Sequence, residues 1–161
     1  MTHPKFIRAK DILNKRNMVF SSNFVFTNGC FDIFHAGHAK MLNYIKENSA
    51  PNSQLVVGIN SDESVKENKG PNRPIISEYY RAYLVACHEA VSHVFIFDEP
   101  DVSDYITQLH PKIWFKGGDY DLNTLNPKEV AACKEKNTEI KFVPFLGGFS
   151  TTKIIEEIKS K

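Results

Sequence analysis

This sequence lacks the features that mark several large classes of protein. Its three cysteines, Cys30, Cys87 and Cys133, are widely spaced and form neither a C-x-x-C pair nor a disulfide framework. No apolar run is long enough to span a membrane, and residues 1–5 do not form an apolar secretion signal. The net charge of +1 gives no reason to expect a general nucleic-acid binder. We therefore expect a cytoplasmic protein that acts without a membrane or a nucleic acid.

Common catalytic motifs are absent as well. The chain contains no G-x-x-x-x-G-K-[ST] sequence, which excludes a P-loop ATPase. No G-x-G-x-x-G sequence follows its first apolar run, which argues against dinucleotide binding. No serine or cysteine stands in a visible catalytic triad. We expect Cys30 to fill a tight turn rather than act as a nucleophile, and the other two cysteines to be small apolar residues on helices.

Apolar residues are plentiful, and their arrangement predicts an α/β fold. The 161 residues, of which 42% are hydrophobic and 12% aromatic, are enough for a single domain with a sizeable core. Short apolar runs alternate with helical patterns, which predicts a parallel sheet covered by helices on both faces. The five predicted strands are residues 24–27, 54–59, 93–97, 113–115 and 140–145.

The helical patterns allow predictions about individual segments. A short helix is expected over residues 6–17, and a helix over residues 77–90 is expected to turn Tyr80, Leu84 and Cys87 inward. Further helices are expected to start at caps supplied by Asn60, Asp101, Asn126 and Ser150.

The ends of the predicted strands hold most of the unusual chemistry. In parallel sheets, ligands bind beyond the carboxyl ends of the strands, where the strand order reverses. Four segments follow those ends: residues 27–38, 66–74, 116–120 and 147–152. Residues 66–74 are polar, contain three cations, and are broken by a glycine and two prolines, so a mobile loop is expected there.

The first of these segments has the pattern of a phosphate site. A helix beginning at about Gly37 follows an apolar strand, so its backbone N–H groups and dipole favour an anion. His35 and His38 lie three residues apart and can both donate hydrogen bonds to phosphate. Gly29 allows a tight turn, and Gly37 allows close approach of a ligand. The alternative is a surface loop with two solvated histidines.

A second helix start occurs after the fifth strand. Ser150, Thr151 and Thr152 offer hydroxyls beside unpaired N–H groups, although an ordinary helix cap would have the same residues. Two such helix ends, two histidines and a cationic loop suit a polyphosphate. The sequence therefore predicts phosphoryl or nucleotidyl transfer, with Lys69 and Arg73 closing over the site and a divalent cation sharing the charge.

At this point the residues resemble a known family. The chain is similar to the H-x-G-H nucleotidyltransferase (cytidylyltransferase-like) superfamily in four segments: T-N-G-C-F-D-I-F-H-A-G-H (27–38), K-G-P-N-R-P (69–74), K-G-G-D-Y (116–120) and F-S-T-T-K-I-I (149–155). Within it, the chain looks most like the heptose-1-phosphate adenylyltransferases. The resemblance covers residues 20–158 as a catalytic core, leaving residues 1–19 as an N-terminal helical extension of one domain, 1–161.

The resemblance implies a Rossmann-like fold and a reaction. A nucleoside triphosphate, in the first place ATP, would react with a sugar 1-phosphate, in the first place a heptose 1-phosphate. The reaction would use Mg²⁺ and release pyrophosphate. It also suggests a homodimer. The catalytic roles fall on His35, His38 and Lys69. Nucleotide contacts fall on Asn28, Gly29, Cys30, Phe31, Gly37, Arg73, Gly148, Ser150, Thr151 and Thr152. Sugar-phosphate contacts fall on Asp32, Lys116, Gly117 and Asp119, and no protein ligand is assigned to the metal.

Four points leave alternatives open. Glycerol-3-phosphate cytidylyltransferases share several of these motifs, but they carry an arginine where this chain has Phe145, which counts against CTP. For Asp32 and Asp119 three roles stay open: receiving hydroxyls of a sugar, assisting the metal, or forming structural hydrogen bonds. A nucleotide-binding module without catalysis is the alternative from another class, and the intact histidines, Lys69 and S-T-T cluster disfavour it. The N-terminal helix could serve a dimer contact or cap the sheet.

Overall fold

Five parallel strands form the centre of the computed structural model, which describes residues 3–14, 23–118, 120–144 and 148–161. Helices and strands follow in the order α1 (Ala9–Asn14), β1 (Phe24–Gly29), α2 (Ala36–Glu47), β2 (Gln54–Asn60), α3 (Asp62–Lys69), α4 (Glu78–Ala86), β3 (His93–Phe97), α5 (Ser103–Leu109), β4 (Ile113–Gly117), α6 (Pro127–Glu135), β5 (Glu139–Val143) and α7 (Thr151–Lys159). The strand order is β3-β2-β1-β4-β5. The predicted Rossmann-like α/β fold is confirmed.

The strands place alternate residues in two separate cores. Because successive side chains of a strand point to opposite faces, each strand contributes to both. Phe24, Phe26 and Trp114 lie in the core that α1, α5 and α6 cover, whereas Val25 and Phe115 lie in the core that α2 and α4 cover. Strand β1 pairs with β2 on one side and with β4 on the other. It is therefore the central strand, and the chain order reverses beside it.

The N-terminal helix covers the sheet. Ile12 of α1 is fully buried in the same core as Phe24 and Trp114, which favours the capping alternative over a dimer contact for this residue. The helix was predicted over residues 6–17, and the structure has it at Ala9–Asn14. Residues 15–17 lie outside the described part of the chain.

The loop predicted over residues 66–74 begins later than expected. Residues 66–69 belong to α3, which starts at a cap formed by the Ser61 hydroxyl, not by Asn60. Val65 is fully buried and anchors this short helix, and Gly70 ends it at a φ of 94°. The prediction of a loop from residue 66 was wrong because the helix cap and one buried valine outweigh the polar composition. Lys69 is consequently the last residue of a helix.

The predicted inward face of α4 was also wrong. Tyr80 and Leu84 are 64% and 44% exposed, and Cys87 is exposed as well. The buried residues are Arg81, Ala82, Val85 and Ala86. The helical period was predicted correctly, but its phase was shifted by one residue because the inward position is taken by an arginine.

No helix within the described ranges is long and apolar enough to cross a membrane.

Candidate active site

A cavity of about 400 Å³ opens at the carboxyl ends of β1, β4 and β5. This is the edge at which the strand order reverses, where ligands bind in such sheets. The cavity brings together most of the predicted site residues, namely Asn28, Gly29, Cys30, Phe31, Asp32, His35, Gly37, His38, Lys69, Arg73, Gly117, Ser150, Thr151 and Thr152. Lys116 and Gly148 are not among its lining residues, and Asp119 lies outside the described residues.

The two histidines cap the start of α2 for each other. The His38 backbone N–H donates to His35 Nδ1 at 3.3 Å, and the His35 backbone N–H donates to His38 Nδ1 at 3.4 Å. The rings stack with their centroids 3.8 Å apart. Since a backbone N–H can only donate, each Nδ1 must be unprotonated, and each neutral ring carries its proton on Nε2. Each histidine therefore offers an Nε2–H donor.

The surroundings keep both imidazoles neutral. Burial and the neighbouring His35 together lower the pKa of His38 to about 4, with Asp32 partly opposing them. Burial also lowers the pKa of His35. At neutral pH the pair thus acts through hydrogen bonds rather than through positive charge. The positive charge at the cavity wall comes from Lys69 and Arg73.

The turn before α2 has an unusual backbone. Phe31 and Ile33 have φ angles of 51° and 46°, in the left-handed region that residues with a Cβ rarely adopt. Strain of this kind costs about 1–3 kcal/mol per residue and persists only where the surroundings hold it. Here the Phe31 side chain is buried and its ring lies 5.1 Å from the His38 ring. The strained turn thus orients the Phe31 ring against His38, one member of the histidine pair.

Gly37 is needed because α2 begins in a crowded place. A Cβ at this position would lie 3.0 Å from the His35 ring and 3.2 Å from the Cβ of Phe149. The glycine therefore leaves room for the start of α7 to approach the start of α2, and for a ligand to approach α2.

The Asp32 carboxylate is engaged in hydrogen bonds with other residues of the protein. Its carboxylate, which is fully buried, accepts hydrogen bonds from the backbone of Ile75 and Ile76 at 2.9 Å each and from Arg73 Nε at 2.7 Å. Burial alone would raise the pKa of Asp32, but these hydrogen bonds and the Arg73 charge lower it. The contacts favour the structural alternative for Asp32, and they show that Arg73 is paired with it.

The second helix start has two kinds of hydroxyl contact. Ser150 caps α7 by accepting from the Lys153 backbone N–H at 3.1 Å, so the ordinary cap is present. Thr151 donates its hydroxyl hydrogen to the Asp32 backbone carbonyl. Gly148 precedes them with a φ of 69°, which explains the glycine without a ligand contact.

Lys116 lies behind the cavity wall. Its ammonium group is 3.8 Å from a Glu129 carboxylate oxygen, 4.8 Å from the centre of the Trp114 ring and 5.0 Å from that of Tyr120. Burial lowers the pKa of Lys116, and Glu129 opposes that shift. In this arrangement the lysine contacts aromatic rings and a carboxylate, so its predicted contact with the sugar phosphate would require it to leave them.

Sequence reasoning missed a buried polar cluster and several lining residues. Arg81 is fully buried and donates to the carbonyls of Cys30 and Ile76 and to the Asp62 carboxylate. The predicted phase of this helix, which turned Tyr80, Leu84 and Cys87 inward, gave no signal that Arg81 is buried. The missed lining residues are Met41, Gly118, Val143, Pro144 and Phe149. Of these, Gly118 and Phe149 carried a signal, because they lie inside the predicted segments 116–120 and 147–152; Phe149 is 47% exposed.

The donor set of the cavity offers little to a metal ion. Among the described residues, no group of three or more histidine, cysteine or acidic side chains is placed to hold one. Asp32 supplies the one carboxylate of the described lining, and its oxygens accept from Arg73 and two backbone amides.

Comparison with known proteins identifies the family. The cytidylyltransferase-like family model matches residues 26–160. The bifunctional protein HldE of Helicobacter pylori strain J99 is 42% identical over 160 residues, which cover 98% of this chain and 32% of that protein. The bifunctional protein HldE of Nitratiruptor sp. is 44% identical over 136 residues, covering 84% of this chain and 28% of that protein. The chain thus spans about a third of the length of these curated relatives.

A solved structure agrees with this result. The lipopolysaccharide core biosynthesis protein from Thermoplasma volcanium GSS1 matches with a TM-score of 0.60 and 25% identity, over 80% of this chain and 98% of that chain. The range that the family model matches, residues 26–160, contains the histidine pair, Lys69 and the start of α7. These findings confirm the superfamily expected from the motifs and support a nucleotidyltransferase. The chain belongs to the cytidylyltransferase-like family.

Proposed function

We propose that this chain is a nucleotidyltransferase that joins a nucleoside triphosphate, ATP in the first place, to a heptose 1-phosphate. The observation that carries the proposal is the cavity itself. Two helix N-termini, two neutral Nε2–H donors and Lys69 converge where a triphosphate would bind, in a family of nucleotidyltransferases. The K-G-G-D-Y segment and relatives about 40% identical over nearly the whole chain support the heptose substrate.

The proposed reaction needs positioning and charge rather than a protein nucleophile. An oxygen of the sugar phosphate attacks the α-phosphorus, the bond from that phosphorus to the bridging oxygen breaks, and pyrophosphate leaves with the electron pair. The attacking phosphate is already ionised, so no general base is required. His35 and His38 donate hydrogen bonds to the oxygens on which charge develops, and Lys69 offsets the repulsion between the two phosphate compounds.

Mg²⁺ is proposed to enter as part of the triphosphate substrate. Magnesium usually binds through one or two carboxylates together with substrate phosphates. The Asp32 carboxylate is already engaged, so in this site phosphate oxygens and water would coordinate the ion.

Three wider predictions accompany this function. We propose one domain over residues 1–161, with the catalytic core at 20–158, and a cytoplasmic location. We also propose a homodimer. A candidate surface for the dimer contact is formed by exposed apolar residues in α4 and just before it, namely Ile75, Tyr79, Tyr80, Tyr83 and Leu84.

The experiment is a pyrophosphate-release assay with a panel of substrates. ATP, GTP and CTP are each paired with heptose 1-phosphates of both anomers and with glycerol 3-phosphate, in the presence of Mg²⁺. We expect turnover with ATP and a heptose 1-phosphate.

Activity only with CTP and glycerol 3-phosphate would overturn the substrate assignment. Tight nucleotide binding with no turnover for any pair would overturn the enzymatic function and favour a binding module.

A further inference from the structure

Asp32 sits at the centre of the strained turn that carries the histidine pair. Its two neighbours, Phe31 and Ile33, both have positive φ angles. Such a backbone relaxes unless something fixes it from outside the turn. The Asp32 side chain is fully buried and makes the contacts that could do so. The conformation of the turn therefore depends on the hydrogen bonds that Asp32 makes.

The carboxylate holds the segment that follows α3. It accepts hydrogen bonds from Ile75 and Ile76, at 2.9 Å each, and from Arg73 at 2.7 Å. Arg81 supports the same junction from the other side, since it donates to the carbonyls of Ile76 and Cys30. The segment that leads away from Lys69 is thus attached to the turn rather than lying over it as an independent lid.

The backbone of Asp32 holds the start of α7. Its carbonyl accepts the hydroxyl hydrogen of Thr151, which is 119 residues away in the chain. One residue therefore contacts three walls of the cavity: its own turn, the segment 73–76 and the second helix start.

We infer that Asp32 is a positioning residue that keeps these three walls in register for the transfer reaction, without touching either substrate. This inference rests on the function proposed above. The proposed transfer needs the histidine pair, the start of α7 and Lys69, which precedes the segment 73–76, placed together around the reacting phosphates, so a small displacement of one wall lowers turnover even when the nucleotide still binds.

Two other roles for Asp32 would have different effects when the residue is changed. A side chain that binds the sugar phosphate would mainly change the KM for that substrate when altered. A side chain that only stabilises the fold would lower the fraction of folded protein and leave the turnover of each folded molecule unchanged. A positioning residue lowers kcat in protein that is folded and still binds nucleotide.

The test is a double-mutant cycle with Asp32→Asn and Thr151→Val. Asparagine removes the charge and places an amide among N–H donors, and valine removes the hydroxyl donor with little change of shape. Thr138→Val is the matched control, because the Thr138 hydroxyl also donates to a backbone carbonyl, that of Pro111, but does not line the cavity. Melting curves establish that each variant is folded at the assay temperature. Should Asp32→Asn not fold, Asp32→Glu replaces it, since it keeps the charge but lengthens the tether.

We expect Asp32→Asn to lower kcat about a hundredfold, while the dissociation constant of Mg–ATP changes less than about fivefold. The double variant should lose less than the product of the single losses, by a factor of about three or more, since both changes release the same turn. Thr138→Val should match the wild type.

Effects that multiply to within a factor of about two would overturn the inference, as would a raised KM at unchanged kcat. A wild-type protein that turns over no substrate pair would instead overturn the proposed function.

Discussion

At the scale of single residues, the histidine pair is defined by what its Nδ1 atoms already do. Each Nδ1 accepts a backbone N–H of the other histidine, so the local fold fixes the tautomer before any ligand arrives. Burial then keeps the rings neutral, with the pKa of His38 lowered to about 4. The rings are therefore preorganised hydrogen-bond donors that need no proton from solvent.

This geometry predicts a ranking of substitutions at position 38. Glutamine can place an amide N–H near the Nε2 position, whereas asparagine reaches only the Nδ1 position. We expect His38→Ala and His38→Asn to lower kcat about a hundredfold or more, and His38→Gln to lose less, because the neutral donor is what matters. Steady-state kinetics of pyrophosphate release measure the ranking.

His88→Gln is the control for that series, since His88 is also a partly buried histidine whose pKa burial lowers, but it does not line the cavity. It should retain wild-type kinetics. Equal losses for His38→Gln and His38→Ala would show that a neutral donor cannot replace the imidazole.

Residue types were predictable from the sequence, but their contacts were not. The H-x-G-H pattern pointed to His35 and His38 because both lie beside one helix start. The partners of Asp32 are more than forty residues away along the chain, and no local pattern encodes that they take up its carboxylate. For the same reason, Lys116 was expected to reach the substrate, although the structure packs it on Trp114.

At the scale of elements, the site depends on two helix starts that nearly touch. Gly37 at the beginning of α2 faces Phe149, just before α7. Helix and strand periods were readable from the sequence, which is why the order of elements was predicted correctly. The phase of α4 and the residue at which the loop starts, Gly70, were not predicted correctly. A buried arginine decides the phase of α4, and a single helix cap decides where the loop starts.

Gly37→Ala should disturb this contact without unfolding α2. Alanine favours a helix more than glycine does, but its Cβ would lie 3.0 Å from the His35 ring and 3.2 Å from the Phe149 Cβ. One of the two side chains must move, so we expect kcat/KM to fall about tenfold or more while the melting temperature stays within a few degrees of the wild type. Ala36→Gly, at the exposed neighbouring position, is the control and should leave kcat/KM unchanged. Wild-type kinetics for Gly37→Ala would mean that the contact is not needed.

At the scale of the whole molecule, the parallel sheet joins distant parts of the chain at one edge. Its two cores stabilise the strands from both faces, and the cavity forms where β1 meets β4. At this position the site encloses polar groups: the Asp32 carboxylate is fully buried, and the two uncharged histidines are partly buried. These groups make the stability of the protein depend on pH.

We expect the free energy of unfolding to fall as the pH is lowered from about 6.5 to about 4. His38 has a pKa of about 4 in the folded protein and 6.5 as its ordinary value, so in this range the unfolded chain binds more protons than the folded one. His35 and His88 shift in the same direction. Below about 3.8, protonation of Asp32 and Asp101, whose pKa values are lowered by their hydrogen bonds, removes further stability.

Urea unfolding of the wild type and of His38→Gln, at intervals from pH 7.5 to pH 4, measures this effect. The variant should lose less stability over the same interval because one of the titrating histidines is gone. Parallel curves for the two proteins would contradict the lowered pKa of His38.

The bond between Thr151 and Asp32 also bears on when a newly made chain could complete the proposed triphosphate site. The two residues are 119 positions apart, and the cavity takes walls from residue 28 through residue 152. No shorter stretch of the polypeptide contains them all. During synthesis, strands β1 to β3 leave the ribosome first, but the cavity is complete only after residue 152 has emerged. Under the proposed function, we therefore expect a triphosphate to assist only the last steps of folding, and not the early pairing of the strands.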